Sequence, residues 1–123
     1  RVSAFVDADP RQIDASIDAG FTVCEIHTGP YAEACIKHGD SESNLNTMDE
    51  RDKVRLAVEY AISNGLQCNA GHGLTHKNVK GIASIPNLSE LHIGHSIVSR
   101  SVFVGMRNSV SEMKQIMKEA EDD

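Results

Sequence analysis

Short apolar runs rich in β-branched residues alternate four times with segments whose apolar residues recur at helical spacing, and this alternation restricts the fold more than any other feature. A chain that repeats strand and helix in this way builds a parallel sheet, because each strand is carried back to the same starting end by a crossover. The first strand is read from Val2 to Asp7. Asp9 and Pro10 follow as an N-cap and a first-turn proline, Ile13 and Ile17 mark a buried helix face, and Gly20 supplies the stop. The second strand, Thr22 to His27, runs into Thr28-Gly29-Pro30, read as a turn. Tyr31 to Lys37 can make a short helix, and His38 to Asn46 has loop composition. Val54, Ala57, Val58, Ala61 and Ile62 then share one side of a helix ended by Asn64-Gly65.

The third strand, Leu66 to Ala70, leads into Gly71-His72-Gly73. Thr75 is a candidate cap for a helix that buries Val79, Ile82 and Ala83 and breaks before Pro86. The fourth strand, Glu90 to Ile93, leads into Gly94-His95. Ser96 to Val104 carries β-branched residues that favour strand, but its place after a strand and a glycine favours a helix, which is the expectation here. The last helix is predicted to bury Val110, Met113, Ile116 and Met117, and the acidic tail from Glu119 to Asp123 is expected to fray.

Charge and cysteine usage narrow the class of function. A net charge of −6 without a basic cluster gives no cationic surface for a phosphate backbone, so nucleic acid is not expected as a partner. Apolar stretches stay well short of the roughly 20 residues that cross a bilayer, so no membrane partner is expected either. Cys24, Cys35 and Cys68 form no disulfide scaffold and no CxxC pair, which suits a reducing cytoplasm. His27, His72, His76 and His95 lack HExxH or comparable spacing, and Gly73 interrupts any helix face shared by His72 and His76, so no metal site is expected.

In βα architectures the reactive groups collect where strands end. Here the strand ends carry Asp7, then Glu25 and His27, then His72, then His95. Glu25 and His27 share one strand face and Cys24 and Ile26 the other, so the apolar pair should meet the helices and Glu25 should point into the interior of a closed sheet, where a carboxylate needs a partner. That reading stands beside a purely structural carboxylate. Glycines flanking His72 let backbone approach a ligand closely, and imidazole exchanges protons near neutral pH, although a histidine in a turn is often only an exposed side chain. Gly94-His95-Ser96-Ile97 has the form of a strand-to-helix anion cup, with an ordinary glycine turn as the plain alternative.

Taken together, Phe5-Val6-Asp7-Ala8-Asp9, Glu25-Ile26-His27-Thr28-Gly29, Asn69-Ala70-Gly71-His72-Gly73-Leu74-Thr75 and Ile93-Gly94-His95-Ser96-Ile97 resemble, in order and spacing, strands five to eight of the pyridoxine 5′-phosphate synthase family. The resemblance implies an α/β fold of the (β/α)₈ TIM-barrel type, with residues 1–123 as the C-terminal half of a single domain, a half-barrel of about four βα units. It implies an enzyme of vitamin B6 biosynthesis, transferase in type, that condenses 3-amino-2-oxopropyl phosphate with 1-deoxy-D-xylulose 5-phosphate. The products are pyridoxine 5′-phosphate, inorganic phosphate and water, and no metal or organic cofactor is used. By resemblance His72 is the proton donor of ring formation, Glu25 stabilises a transition state, and Gly73, Gly94 and His95 hold the aminoketone phosphate. A further catalytic histidine, a glutamate base and the basic sugar-phosphate ligands would lie on strands one to four, so this segment alone is expected to be inactive. The resemblance also implies a homo-octamer for the whole protein.

Two departures stand out: His92 occupies a position where the family pattern has asparagine, and the connection from Tyr31 to Asp49 is longer than in the compact bacterial form. Open sheet edges are expected to be covered by the missing half, by another copy or by both. Two other readings remain open at this level. One is a non-catalytic half-barrel that binds a phosphorylated metabolite or a partner chain. The other is a different phosphate-binding barrel enzyme, isomerase-like or thiazole synthase-like, for which neither Lys53 nor Lys77 is well placed as a Schiff-base lysine.

Overall fold

A computed structural model describes residues 1–40 and 43–122. Four strands, β1 (Ser3–Val6), β2 (Val23–His27), β3 (Gln67–Gly71) and β4 (Leu91–His92), form one parallel sheet in the order β1-β2-β3-β4. Among the described residues six helices accompany it: α1 (Pro10–Asp18), α2 (Gly29–His38), α3 (Leu45–Ser63), α4 (Val79–Ala83), α5 (His95–Val104) and α6 (Met106–Asp122). Every strand pairs with its neighbour in sequence, so the winding never reverses. Crossovers between parallel strands are right-handed almost without exception, and constant winding therefore sends the crossover helices to one face.

Strand alternation sorts the side chains accordingly. Cys24, Ile26, Cys68 and Ala70 point into the core with Ile13, Val54, Val58, Val79 and Ile82, all of them nearly or wholly inaccessible. The opposite face carries Phe5, Glu25, His27, Asn69, Gly71 and His92, placed side by side by a register that pairs Phe5 with Glu25, Glu25 with Asn69, and Gly71 with His92. The expected division of β2, apolar pair toward the helices and Glu25 away from them, is observed. Cys24 and Cys68 are free thiols whose sulfurs meet at 3.8 Å across the two central strands, and Cys35 is also free.

Several boundaries shift for local reasons. The Asp9 carboxylate accepts the Arg11 N–H at 2.9 Å, as an N-cap before Pro10 should. Thr28-Gly29-Pro30 is not a separate turn; it opens α2, where proline loses no hydrogen bond, and Ala32 N–H reaches Thr28 C=O at 3.0 Å. Within the expected loop, residues 41–42 lie outside the described residues, and α3 begins already at Leu45, capped by the Asn44 side chain on Asn46 N–H. Its first turns are polar, but Thr47 is fully buried and gives its hydroxyl to the Gly39 carbonyl at 2.9 Å.

Thr75 does not cap α4 directly. It opens a turn before that helix, whose N-cap is Asn78. β4 is only two residues long, although Ala70 N–H still reaches Glu90 C=O. The segment after Gly94 is a helix, as expected. In α6 the buried positions are Ser109, Met113 and Ala120, while Val110 is exposed; the Ser109 hydroxyl takes the inward place by donating to Ile97 C=O at 2.7 Å. The tail does not fray as expected, since α6 continues to Asp122 with Ala120 docked inside, and Asp123 lies outside the described residues. Among the described residues no helix is long and apolar enough to cross a membrane.

Candidate active site

The β3–α4 loop is held in a conformation that its sequence alone would not adopt. His72 has φ +89° and Gly73 φ +77°. A non-glycine residue at positive φ is disfavoured and persists only where its surroundings fix it. Thr28, buried at the start of α2, supplies the clamp: its hydroxyl donates to His72 C=O at 2.7 Å and its N–H to Gly71 C=O at 2.8 Å. The Asn78 side chain accepts Thr75 N–H at 2.7 Å and donates to Gly73 C=O at 3.2 Å. Tyr31, also buried, donates its phenol to Asn78 C=O at 2.7 Å, and burial pushes that phenol up, so it stays a neutral donor. A Cβ at position 73 would lie 2.7 Å from the Ala32 Cβ, so glycine is what lets the loop lie against α2.

The His72 ring stands at the end of an aromatic column. Its centroid is 4.8 Å from that of His27, which is 5.1 Å from Phe5, both contacts edge to face. A side chain on Gly29 would collide with the His27 ring, so the glycine that opens α2 also leaves room for the column.

Beside it, Glu25 is mostly buried, with 18 % of its side chain exposed, and Nδ1 of His92 is hydrogen-bonded to its Oε1. The other ring nitrogen of His92 lies 3.1 Å from Glu90 Oε2. β3 runs between β2 and β4, so this bridge has to pass over Gly71. A Cβ there would sit 2.8 Å from His92 C=O and 3.2 Å from Glu25 Oε1, which shows why the position carries no side chain. Burial pulls the His92 ring down, but its hydrogen bonds to Glu90 and Glu25, together with their charges, outweigh this and raise it overall.

α5 begins at the end of β4. Val98 N–H closes the first helical bond on Gly94 C=O at 3.1 Å, which leaves the earlier N–H groups of the turn without partners inside the helix. Such a helix start favours anions through its dipole and its unpaired donors. Ser96 ties it to the neighbouring loop by donating to Leu74 C=O at 2.7 Å. The fold itself does not require glycine at 94: φ is −127° and an added Cβ would meet open space.

These elements enclose an open cleft of about 540 Å³. Glu25, His72, Gly73, Gly94 and His95 all line it, joined by Phe5 and His92. Residues 1–119 match the family described as pyridoxal phosphate biosynthesis protein PdxJ. The chain belongs to the PdxJ family. It is 51 % identical to the pyridoxine 5′-phosphate synthase of Azoarcus sp. (strain BH72) over 118 residues, 96 % of this chain and 47 % of that protein. The synthase of Aromatoleum aromaticum matches equally, at 51 % identity, 96 % of this chain and 47 % of its own length. That of Aliivibrio fischeri is 45 % identical over 95 % of this chain and 45 % of the relative. The chain thus spans about half the length of the curated relatives it matches.

Within this PdxJ-family chain not every expected strand-end residue reaches the cleft. Asp7 turns to α1, where it accepts from the Gln12 side-chain amide at 3.0 Å while its own N–H goes to Gln12 Oε1. His27 sits behind His72 as its ring neighbour. His76 points elsewhere, with Nε2 3.2 Å from Ser109 C=O. Among the described residues no group of three or more His, Cys, Asp or Glu is placed to hold a metal ion. Thr28, Asn78 and Tyr31 escaped the sequence reading because each acts through a backbone carbonyl contributed by another segment. Thr28 alone carried a signal, as a hydroxyl residue immediately before a Gly-Pro helix start.

Proposed function

We propose that the whole protein is a pyridoxine 5′-phosphate synthase and that this chain supplies the last four units of its (β/α)₈ barrel, residues 1–123 forming the C-terminal half of one domain. The constant winding of the sheet supports the barrel, as does a second sheet face that carries Phe5 at 58 % exposure alongside Glu25 and His92. Barrel closure would turn that face inward. Val102 and Phe103 on α5, both more than four-fifths exposed, are surfaces for the remaining units or for another copy, in keeping with a homo-oligomer, octameric by family resemblance. The protein would work in the cytoplasm without a cofactor, and this chain by itself would be inactive.

The observation that carries the reading is the convergence of Glu25, His72, Gly73, Gly94 and His95 on one cleft in a chain half identical to named synthases. The substrates are 3-amino-2-oxopropyl phosphate and 1-deoxy-D-xylulose 5-phosphate. Gly73, Gly94 and His95 take the aminoketone phosphate at the α5 start, where free N–H groups favour an anion. The amine condenses with the ketone to an imine, after which loss of phosphate, loss of water and ring closure each move a proton. His72 is the donor in those steps, and the Glu25 carboxylate stabilises the cationic imine from a fixed position. The test is direct: the purified whole protein is given both phosphates without added metal, and pyridoxine 5′-phosphate and inorganic phosphate are measured. Formation of both in equal amounts supports the reading, and absence of product from a folded, substrate-binding protein overturns it.

A further inference from the structure

Among the described residues His92 is the one side chain of the cleft that touches two carboxylates, Glu25 through Nδ1 and Glu90 through Nε2. A neutral imidazole has a single N–H and can donate to only one of them, whereas the imidazolium donates to both. The arrangement therefore selects the doubly protonated ring, and its deprotonation leaves Glu25 and Glu90 competing for one donor. The groups against the ring are Glu25 from β2, Gly71 from β3 and Glu90 beside β4, and the titratable His72 and His95 line the same cleft. Among the described residues no Lys or Arg lines this cleft, and His92 is the lining side chain hydrogen-bonded to Glu25.

We propose that His92 is a positioning residue, which clamps the Glu25 carboxylate in its place over Gly71 and links that placement to the protonation of its own ring. The inference rests on the proposed role of Glu25. It assigns His92 no contact with substrate; the ring acts through Glu25 by holding one oxygen, which leaves the other for the cation that forms in the cleft. A positioned carboxylate stabilises charge better than one that must reorient first.

Two amide variants separate this role from mere packing, because the Asn amide nitrogen occupies nearly the place of imidazole Nδ1 and the Gln amide nitrogen approaches that of Nε2. In the whole protein, His92→Ala should lower kcat on the order of tenfold, the scale of a lost hydrogen bond to a charged group, with KM for the aminoketone phosphate unchanged. His92→Asn, which keeps the bond to Glu25, should recover most of that loss and remove the ring's contribution to the alkaline limb of the kcat profile. His92→Gln, which keeps only the bond to Glu90, should behave like His92→Ala. Equal rates for Asn and Gln, or a wild-type rate for Ala, overturn the positioning role. Glu25→Gln tells the two readings apart: if it slows turnover while His92→Ala does not, only the present inference fails. An unchanged rate in Glu25→Gln removes the proposed role of Glu25 itself.

Discussion

The two walls of the cleft are built on different principles. On one side the β3–α4 loop, His72 to Asn78, is cross-tied by Thr28, Asn78 and Tyr31, with two consecutive residues at positive φ. On the other, the α5 start has an unstrained Gly94 with space around it and the Ser96 tie to Leu74. The difference fits what each wall would present under the proposed function. A proton donor must hold one atom in one place relative to a reacting bond, so its backbone is fixed from a second helix. An anion cup presents backbone N–H groups whose direction the helix already sets, and it needs little beyond open room.

The contrast breaks most sharply at His72. In the whole protein, His72→Asn should lower turnover by roughly 10²–10⁴, the scale of general acid–base catalysis, while aminoketone phosphate still binds, as measured by calorimetry beside the kinetic assay. Wild-type turnover would dissociate the strained wall from the chemistry. Next in size is the clamp behind it. Thr28→Val keeps the shape of the side chain and removes the donor to His72 C=O, so stability should fall by about 1–2 kcal/mol in denaturant titration. Turnover should fall on the order of tenfold, because the loop is released toward ordinary φ and the imidazole moves with it. If stability drops and turnover does not, the clamp serves the fold alone.

Both walls were visible in the sequence, but unequally. The four βα units, the placement of Glu25 on the sheet face away from the helices and the helix after Gly94 could be read because periodicity and strand ends are local signals. Gly71-His72-Gly73 drew notice through its glycines, yet the positive φ of His72 could not be read, since the groups that enforce it lie on α2 and at Asn78 and meet the loop only after folding. Asp7 was misjudged for the complementary reason. A strand-end carboxylate looks the same in sequence whether it faces a cleft or is taken up by a glutamine one helical turn on. The early start of α3 escaped because its inward residue is Thr47, which hydrogen-bonds to a carbonyl and leaves no apolar mark.

The second wall gives a smaller and differently shaped effect. Gly94→Ala places a methyl group where the fold leaves space, so the denaturation midpoint should hold. KM for the aminoketone phosphate should rise by about an order of magnitude as the methyl intrudes on the anion, comparable to losing one good hydrogen bond, with kcat affected less. Should stability fall and KM hold, Gly94 belongs to the turn and not to the cup, and the proposed division between a fixed wall and an open one fails on that side.

Between the walls stands His92, where the smallest effect is expected, on stability as a function of pH. Burial lowers the ring and the two carboxylates raise it more, so its folded value exceeds its unfolded one. A group raised in this way contributes its full stabilisation below the unfolded value, about 6.5, and loses it as pH rises through the folded value. The whole protein should therefore exceed His92→Asn in denaturation midpoint on the acid side of that window, with the gap closing as pH increases. The gap should be modest, because the ring is 45 % exposed and solvent screens its partners. A gap that widens with pH would mean that the ring is favoured neutral, bonded to one carboxylate and turned from the other, and His92 would then join the fixed wall as a packing residue without a charge to give.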